Sequence, residues 1–112
     1  MTKTLAISDF AYRPGPRYER QGSKSAEEYR KTILTPAVRE AIAVGGKVIV
    51  NLDRTGGLGR SFLEEISGGL IREDRIPYEQ VVKHVEFVAT ELPVYRERVS
   101  NYLLTAHEEE GI

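Results

Sequence analysis

The residues best suited to chemistry crowd one stretch, Asp53-Arg54-Thr55-Gly56-Gly57-Leu58-Gly59-Arg60-Ser61. A glycine-rich turn that opens a helix presents free backbone N–H groups and the positive end of the helix dipole. Together these hold a phosphate or a carboxylate. Arg54 and Arg60 would add positive charge, and Ser61 would place a hydroxyl at the helix start. A structural explanation competes with this one. Ser61 and Glu64 have the spacing of a capping box, and Gly56, Gly57 and Gly59 allow a tight turn. The loop lacks the lysine of a P-loop, and Glu64 and Glu65 oppose a bound anion. Ser61 is also a candidate phosphorylation site, where a charge of about −2 would switch a partner surface.

The other candidates are sparser. Arg13 and Arg17 flank Pro14-Gly15-Pro16, and Tyr12, Tyr18 and Tyr29 accompany them, a mixture suited to anions, stacking or protein interfaces. Asp53 ends an apolar run, where α/β proteins place functional groups. Its simpler expected role is to accept hydrogen bonds from the turn at Thr55 and Gly56. Glu64 and Glu65 are adjacent on a helix and point about 100° apart, so they do not converge as a catalytic pair. His84 reads as structural, and His107 lies near a tail expected to fray, so no metal site or cofactor is implied.

The elements that must position these groups follow from hydrophobic period and turn chemistry. Thr4–Phe10 alternates as a first strand, and Tyr18–Gln21 reads as a short edge strand after the proline-rich loop. Ser25 and Glu28 form a capping box. Thr35-Pro36 supplies a second helix start, which predicts two short helices meeting at a bend. Gly45-Gly46 ends the second helix. Lys47–Asp53, with Val48-Ile49-Val50 at its centre, reads as a strand covered on both faces. A helix follows from Ser61 to about Arg72, with Gly68 and Gly69 implying close packing or an early end. Pro77 opens a short helical turn. Val85, Phe87 and Ala89 alternate along a further strand, and a last helix runs from Pro93 to His107, leaving residues 107–112 as a frayed tail.

Strands separated by helices predict a single α/β domain over residues 1–112, with a mostly parallel or mixed sheet and helices packed on it. The 112 residues suit one domain, and no apolar run approaches the length of a membrane span. There are no cysteines, which fits a cytoplasmic protein and removes thiolate chemistry. The net charge of −1 divides unevenly, with a basic excess before residue 48 and an acidic excess after it. A pI of about 6.1 argues against a dedicated nucleic-acid binder.

Three motifs carry a family resemblance: Arg13-Pro14-Gly15-Pro16-Arg17-Tyr18 with Gln21-Gly22; Leu34-Thr35-Pro36-Ala37; and Gly59-Arg60-Ser61-Phe62-Leu63-Glu64-Glu65 with Gly68-Gly69-Leu70-Ile71-Arg72. The chain resembles the STAS domain of bacterial anti-sigma-factor antagonists. It is more similar to a small bacterial STAS-like family of unknown function. The resemblance implies a non-enzymatic regulatory module that binds a protein partner, typically a histidine-kinase-like ATPase that phosphorylates the serine at the helix start. Ser61 matches that serine. Where the antagonists carry Asp-Ser-Ser-Gly, this chain has Gly59-Arg60-Ser61-Phe62.

The alternative expectation is a domain or enzyme that binds a phosphate- or nucleotide-containing ligand through the Gly56–Ser61 helix start and the nearby arginines. A homodimer is a further expectation, since a small domain with an open sheet edge has surface to protect.

Overall fold

In a computed structural model that describes residues 1–112, three short strands pair in parallel in the order β1-β2-β3. They are β1 (Thr2–Ala6), β2 (Lys47–Asn51) and β3 (Val85–Val88). The chain is an α/β domain with one open sheet, as its alternating pattern predicts. No helix is long and apolar enough to cross a membrane.

The register explains which face is covered. Lys3 pairs with Val48 and Val48 with Val85, while Leu5 pairs with Val50 and Val50 with Phe87. Paired residues of neighbouring strands share a face, and Val48, Val50, Val85 and Phe87 are all buried. The alternate residues face the other way. Thr2, Thr4, Lys47 and Glu86 are exposed there, and Ile49 and Val88 are half-buried. One face of the sheet is therefore uncovered, so the expectation that Val48-Ile49-Val50 is covered on both faces is corrected. The cause is topological: sequential strands joined by right-handed crossovers put every crossover on one side.

The helices on the covered side are α1 (Ile7–Phe10), α2 (Ala26–Tyr29), α3 (Thr35–Val44), α4 (Arg60–Arg72), α5 (Tyr78–His84) and α6 (Val94–Glu110). Phe62, Leu63, Ile66 and Leu70 of α4 enter the core with Val99, Leu103 and Ala106 of α6. Gly68 lies inside α4, and a Cβ there would meet the Tyr102 carbonyl of α6 at 3.3 Å. The two glycines serve close packing, and the helix continues through them.

Several local expectations change. Ile7–Phe10 turns helical where strand was expected, so β1 ends at Ala6. Glu19–Gln21 forms a 3₁₀ turn in place of an edge strand, closed by a bond from the Tyr18 N–H to the Gln21 side chain. Ser25 caps α2 by accepting from the Glu28 N–H at 3.0 Å. Thr35, however, caps no helix; it is the first residue of α3 and lies within a continuous helical run. A π-helical segment, Arg30–Leu34, joins α2 to α3, and Thr35 itself has helical dihedrals. Gly45 ends α3 in the left-handed conformation, as expected. The final helix persists to Glu110, so residues 107–112 are no frayed tail: His107 stacks on Tyr78, and the Ile112 carbonyl accepts from the Tyr78 N–H.

The polar centre of the helical layer is Glu65, 1% exposed. Arg30 donates to it from Nε at 3.2 Å, Arg72 at 3.1 Å and Arg17 at 3.3 Å. Arg30 also binds Asp74 at 2.8 Å, which accepts from the Thr35 hydroxyl at 2.7 Å. Hydrogen bonding from i to i+5 in the π segment brings residues five apart into line, so Arg30 and Thr35 reach the same carboxylate. Glu64 accepts from Arg17 and Arg72. Burial alone pushes the Glu64 carboxyl up, but the bonds and charges of Arg72 and Arg17 outweigh it and hold the group below its ordinary value.

Removing one partner from a buried ion network leaves the others uncompensated. Glu65→Gln should cost about 3 kcal/mol in urea unfolding at neutral pH. A depressed carboxyl contributes stability that is complete above its unfolded value of 4.5 and disappears as pH falls through the lower folded value. Glu64→Gln should therefore lower the melting temperature at pH 7 and converge with the parent protein in acid, as read by thermal melts across pH.

Candidate functional site

In a parallel sheet all strands point their carboxyl ends the same way, and loops gather there. The three loops after β1, β2 and β3 are tied together in this chain. The Gly56 N–H donates to the Tyr12 carbonyl at 2.7 Å, and a Cβ on Gly56 would meet the Tyr12 ring at 3.1 Å and Arg13 Cγ at 3.2 Å. The Arg54 N–H donates to the Glu91 carboxylate at 2.7 Å. Asp53 accepts from the Thr90 hydroxyl at 2.6 Å, the Thr90 N–H at 2.9 Å and the Glu91 N–H at 3.0 Å. These bonds, led by that from the Thr90 hydroxyl, hold the Asp53 carboxyl below its ordinary value.

Asp53 was expected to serve its own turn at Thr55 and Gly56. It instead joins the loops that follow β2 and β3. Its own N–H donates to the Asn51 side chain at 2.8 Å, and the turn is closed separately by the Gly57 N–H on Thr55 Oγ1 at 3.3 Å. Behind the loop, Leu58 is buried, and its N–H donates to the Tyr95 hydroxyl at 3.0 Å. Thr90, Glu91 and Tyr95 were not legible as part of this cluster. Their only signal is position, immediately after the third strand and in the first turn of the last helix.

Ser61 does not cap α4. The helix begins one residue earlier, with Gly59 as N-cap and no side-chain cap bond, and Leu63 N–H donates to the Gly59 carbonyl. Glu64 does not return to the Ser61 amide because its carboxylate is engaged by Arg17 and Arg72. Ser61 is thus an exposed hydroxyl in the first turn of α4, with no hydrogen-bond partner.

The structure divides the arginines. Arg17, expected among the anion- or partner-binding residues, is engaged by Glu64 and Glu65 and braces the fold. Arg13, Arg54 and Arg60 are exposed and form no ion pair. Arg13 lies over the Tyr12 ring, 5.7 Å from its centre. With Gly56, Gly57, Gly59 and Ser61, these three define one end of the domain. The concavities of the molecule lie elsewhere, two along β1 and one beside β3. His84 is buried with Nδ1 2.7 Å from the Gly46 carbonyl, a structural contact as expected. No three His, Asp or Glu side chains converge as a metal site would require.

Compared with protein-family models, with curated proteins and with solved structures, the chain matches none.

Arg54 adopts a left-handed conformation, φ 66°, which costs a residue with a Cβ about 1–2 kcal/mol. Glycine avoids that cost and adds unfolded-state entropy. Arg54→Gly should therefore leave stability unchanged or raise it by up to ~1 kcal/mol, measured by chemical denaturation.

Proposed function

We propose that this chain is a small regulatory module of the STAS-like kind that works by docking to a protein partner and performs no chemistry of its own. The observation that carries this reading is the loop cluster. Its three loops are locked to one another by backbone and carboxylate bonds, while Arg13, Arg54, Arg60 and Ser61 project from it without partners. A rigid platform with free cations suits recognition of an acidic protein surface. Strand order also supports it. Ligand crevices in open α/β sheets form where strand order reverses, and the order β1-β2-β3 contains no reversal.

Within this reading the partner is a regulatory ATPase of the histidine-kinase-like type, and the protein works in the cytoplasm. Ser61 is the residue through which such a partner would act. A phosphate on its hydroxyl would sit in the first turn of α4, beside Arg60 and at the positive end of the helix dipole, where added negative charge is favourable. Phosphorylation would convert a cationic docking surface into one of mixed sign and release an acidic partner.

The lack of a side-chain cap at Gly59 favours a second reading, in which the Gly59–Ser61 amides bind a phosphate-containing ligand directly. Calorimetry with nucleotides and phosphosugars separates the two.

In affinity capture from the native host, the protein should recover a partner ATPase. A joint Arg60→Glu and Ser61→Glu change should weaken that association by about 100-fold, on the scale of close charge pairs lost at an interface. Incubation with the ATPase and ATP should place phosphate on Ser61, read by mass spectrometry. A partner indifferent to both substitutions would sink the docking surface, and absence of phosphate would sink the switch alone.

A further inference from the structure

The first strand has a free edge whose pattern selects a particular occupant. The Met1 carbonyl accepts from the Lys47 N–H, so the odd residues of β1 direct their backbone groups to β2. Alternation then turns the N–H and C=O groups of Thr2 and Thr4 and the N–H of Ala6 to the outside, while the Ala6 carbonyl serves α1 as its N-cap. Thr2, Lys3 and Thr4 are consecutively exposed. No bulge or proline blunts this edge, and its one edge charge is Lys3, a usual guard against unwanted pairing.

We propose that this edge pairs with the same edge of a second copy, antiparallel and centred on Thr4, to give a continuous six-stranded sheet. The register follows from the alternation. Hydrogen-bonded pairs in an antiparallel ladder exchange both backbone bonds, and the residues with both groups free are Thr2 and Thr4, with the Ala6 N–H free beside them. Centring on Thr4 pairs Thr2 with the second copy's Ala6 and Thr4 with its own counterpart, which uses all five residues of the strand. Centring on an odd residue is excluded, because those groups already bond to β2.

Charge complementarity supports the same register. Lys3 shares the helix-covered face with Leu5, since both align with buried valines of β2. In the dimer Lys3 falls opposite the second copy's Leu5. Leu5 lines a cavity of about 150 Å³ with Asp9, Phe10, Tyr29 and Ile33. Asp9 is an exposed carboxylate in no ion pair. Tyr29, 1% exposed, has a hydroxyl without a hydrogen-bond partner. Lys3 thus meets the exposed Asp9 carboxylate where a like charge would have blocked pairing. The guard residue becomes half of a reciprocal contact, made twice by symmetry. On the opposite face the central Thr4 pair sits side by side, a favourable cross-strand combination.

Sedimentation equilibrium of the full chain between about 10 µM and 1 mM should show reversible dimers, with Kd on the order of 100 µM for so small an interface. Thr4→Pro removes an outward-facing N–H and leaves the β1–β2 ladder intact. It should keep the monomer's circular dichroism and raise Kd by more than about tenfold. Lys3→Asp should weaken the dimer similarly, and adding Asp9→Lys should restore it. A chain that is monomeric throughout this range overturns the proposal, as does a dimer indifferent to Thr4→Pro. If Thr4→Pro does not fold, the charge exchange decides: recovery in the double variant supports the pairing, and no recovery overturns it.

Discussion

The carboxylate of Glu65 holds the helical layer together. It is buried on α4 among three guanidinium groups that come from three separate parts of the chain: Arg17 from the first loop, Arg30 from the π segment and Arg72 from the end of α4. A charge so deeply buried is costly unless it is surrounded by donors in good geometry. Once it is in place, each donor fixes something further. Arg17 anchors the proline-rich loop, Arg30 and Thr35 share Asp74 and so set the π segment, and Arg72 closes over both glutamates. Gly69 belongs to the same arrangement, because a Cβ there would stand 3.0 Å from Arg30 Cδ. The network works as a registration device for helices that an apolar core alone would leave free to slide.

A second constraint is strand order. Three parallel strands in sequence, joined by crossovers of one hand, leave one sheet face bare and provide no point where order reverses. The fold therefore offers loops, a bare face and strand edges. In the proposed function binding falls to these surfaces, which is why the exposed cations of the loop cluster carry that proposal.

Much of the fold was legible because its signals are local. Ser25 caps, Gly45 turns left-handed, Pro77 precedes a short helix, and the β-branched run at Val48 is the central strand. Failures occurred where a distant residue overrode a local signal. Thr35-Pro36 has the spelling of a helix start, but Asp74, thirty-nine residues away, recruits the threonine hydroxyl, and Pro36 falls near the change from π to α bonding, where a missing N–H disrupts least. Ser61 and Glu64 spell a capping box, but two arginines take the glutamate. Arg17 resembles Arg13 in the sequence, and only the fold shows that one is a brace and the other is free. The bare sheet face was hidden because Ile49 is apolar, and an apolar run does not state how many of its faces are covered.

The loop cluster and the β1 edge are joined by the chain itself, since β1 runs directly through α1 into the loop that contacts Gly56. Antiparallel pairing of two copies through β1 would send their carboxyl ends in opposite directions. The two docking surfaces would then lie at opposite ends of one six-stranded sheet, neither obstructed by the other. Such an assembly would engage two sites on one symmetric partner, and its second contact would then be intramolecular. A weak dimer would thereby be strengthened by partner binding and weakened by whatever abolishes it. A change of charge at Ser61 would act on both equilibria without altering a single contact within the domain.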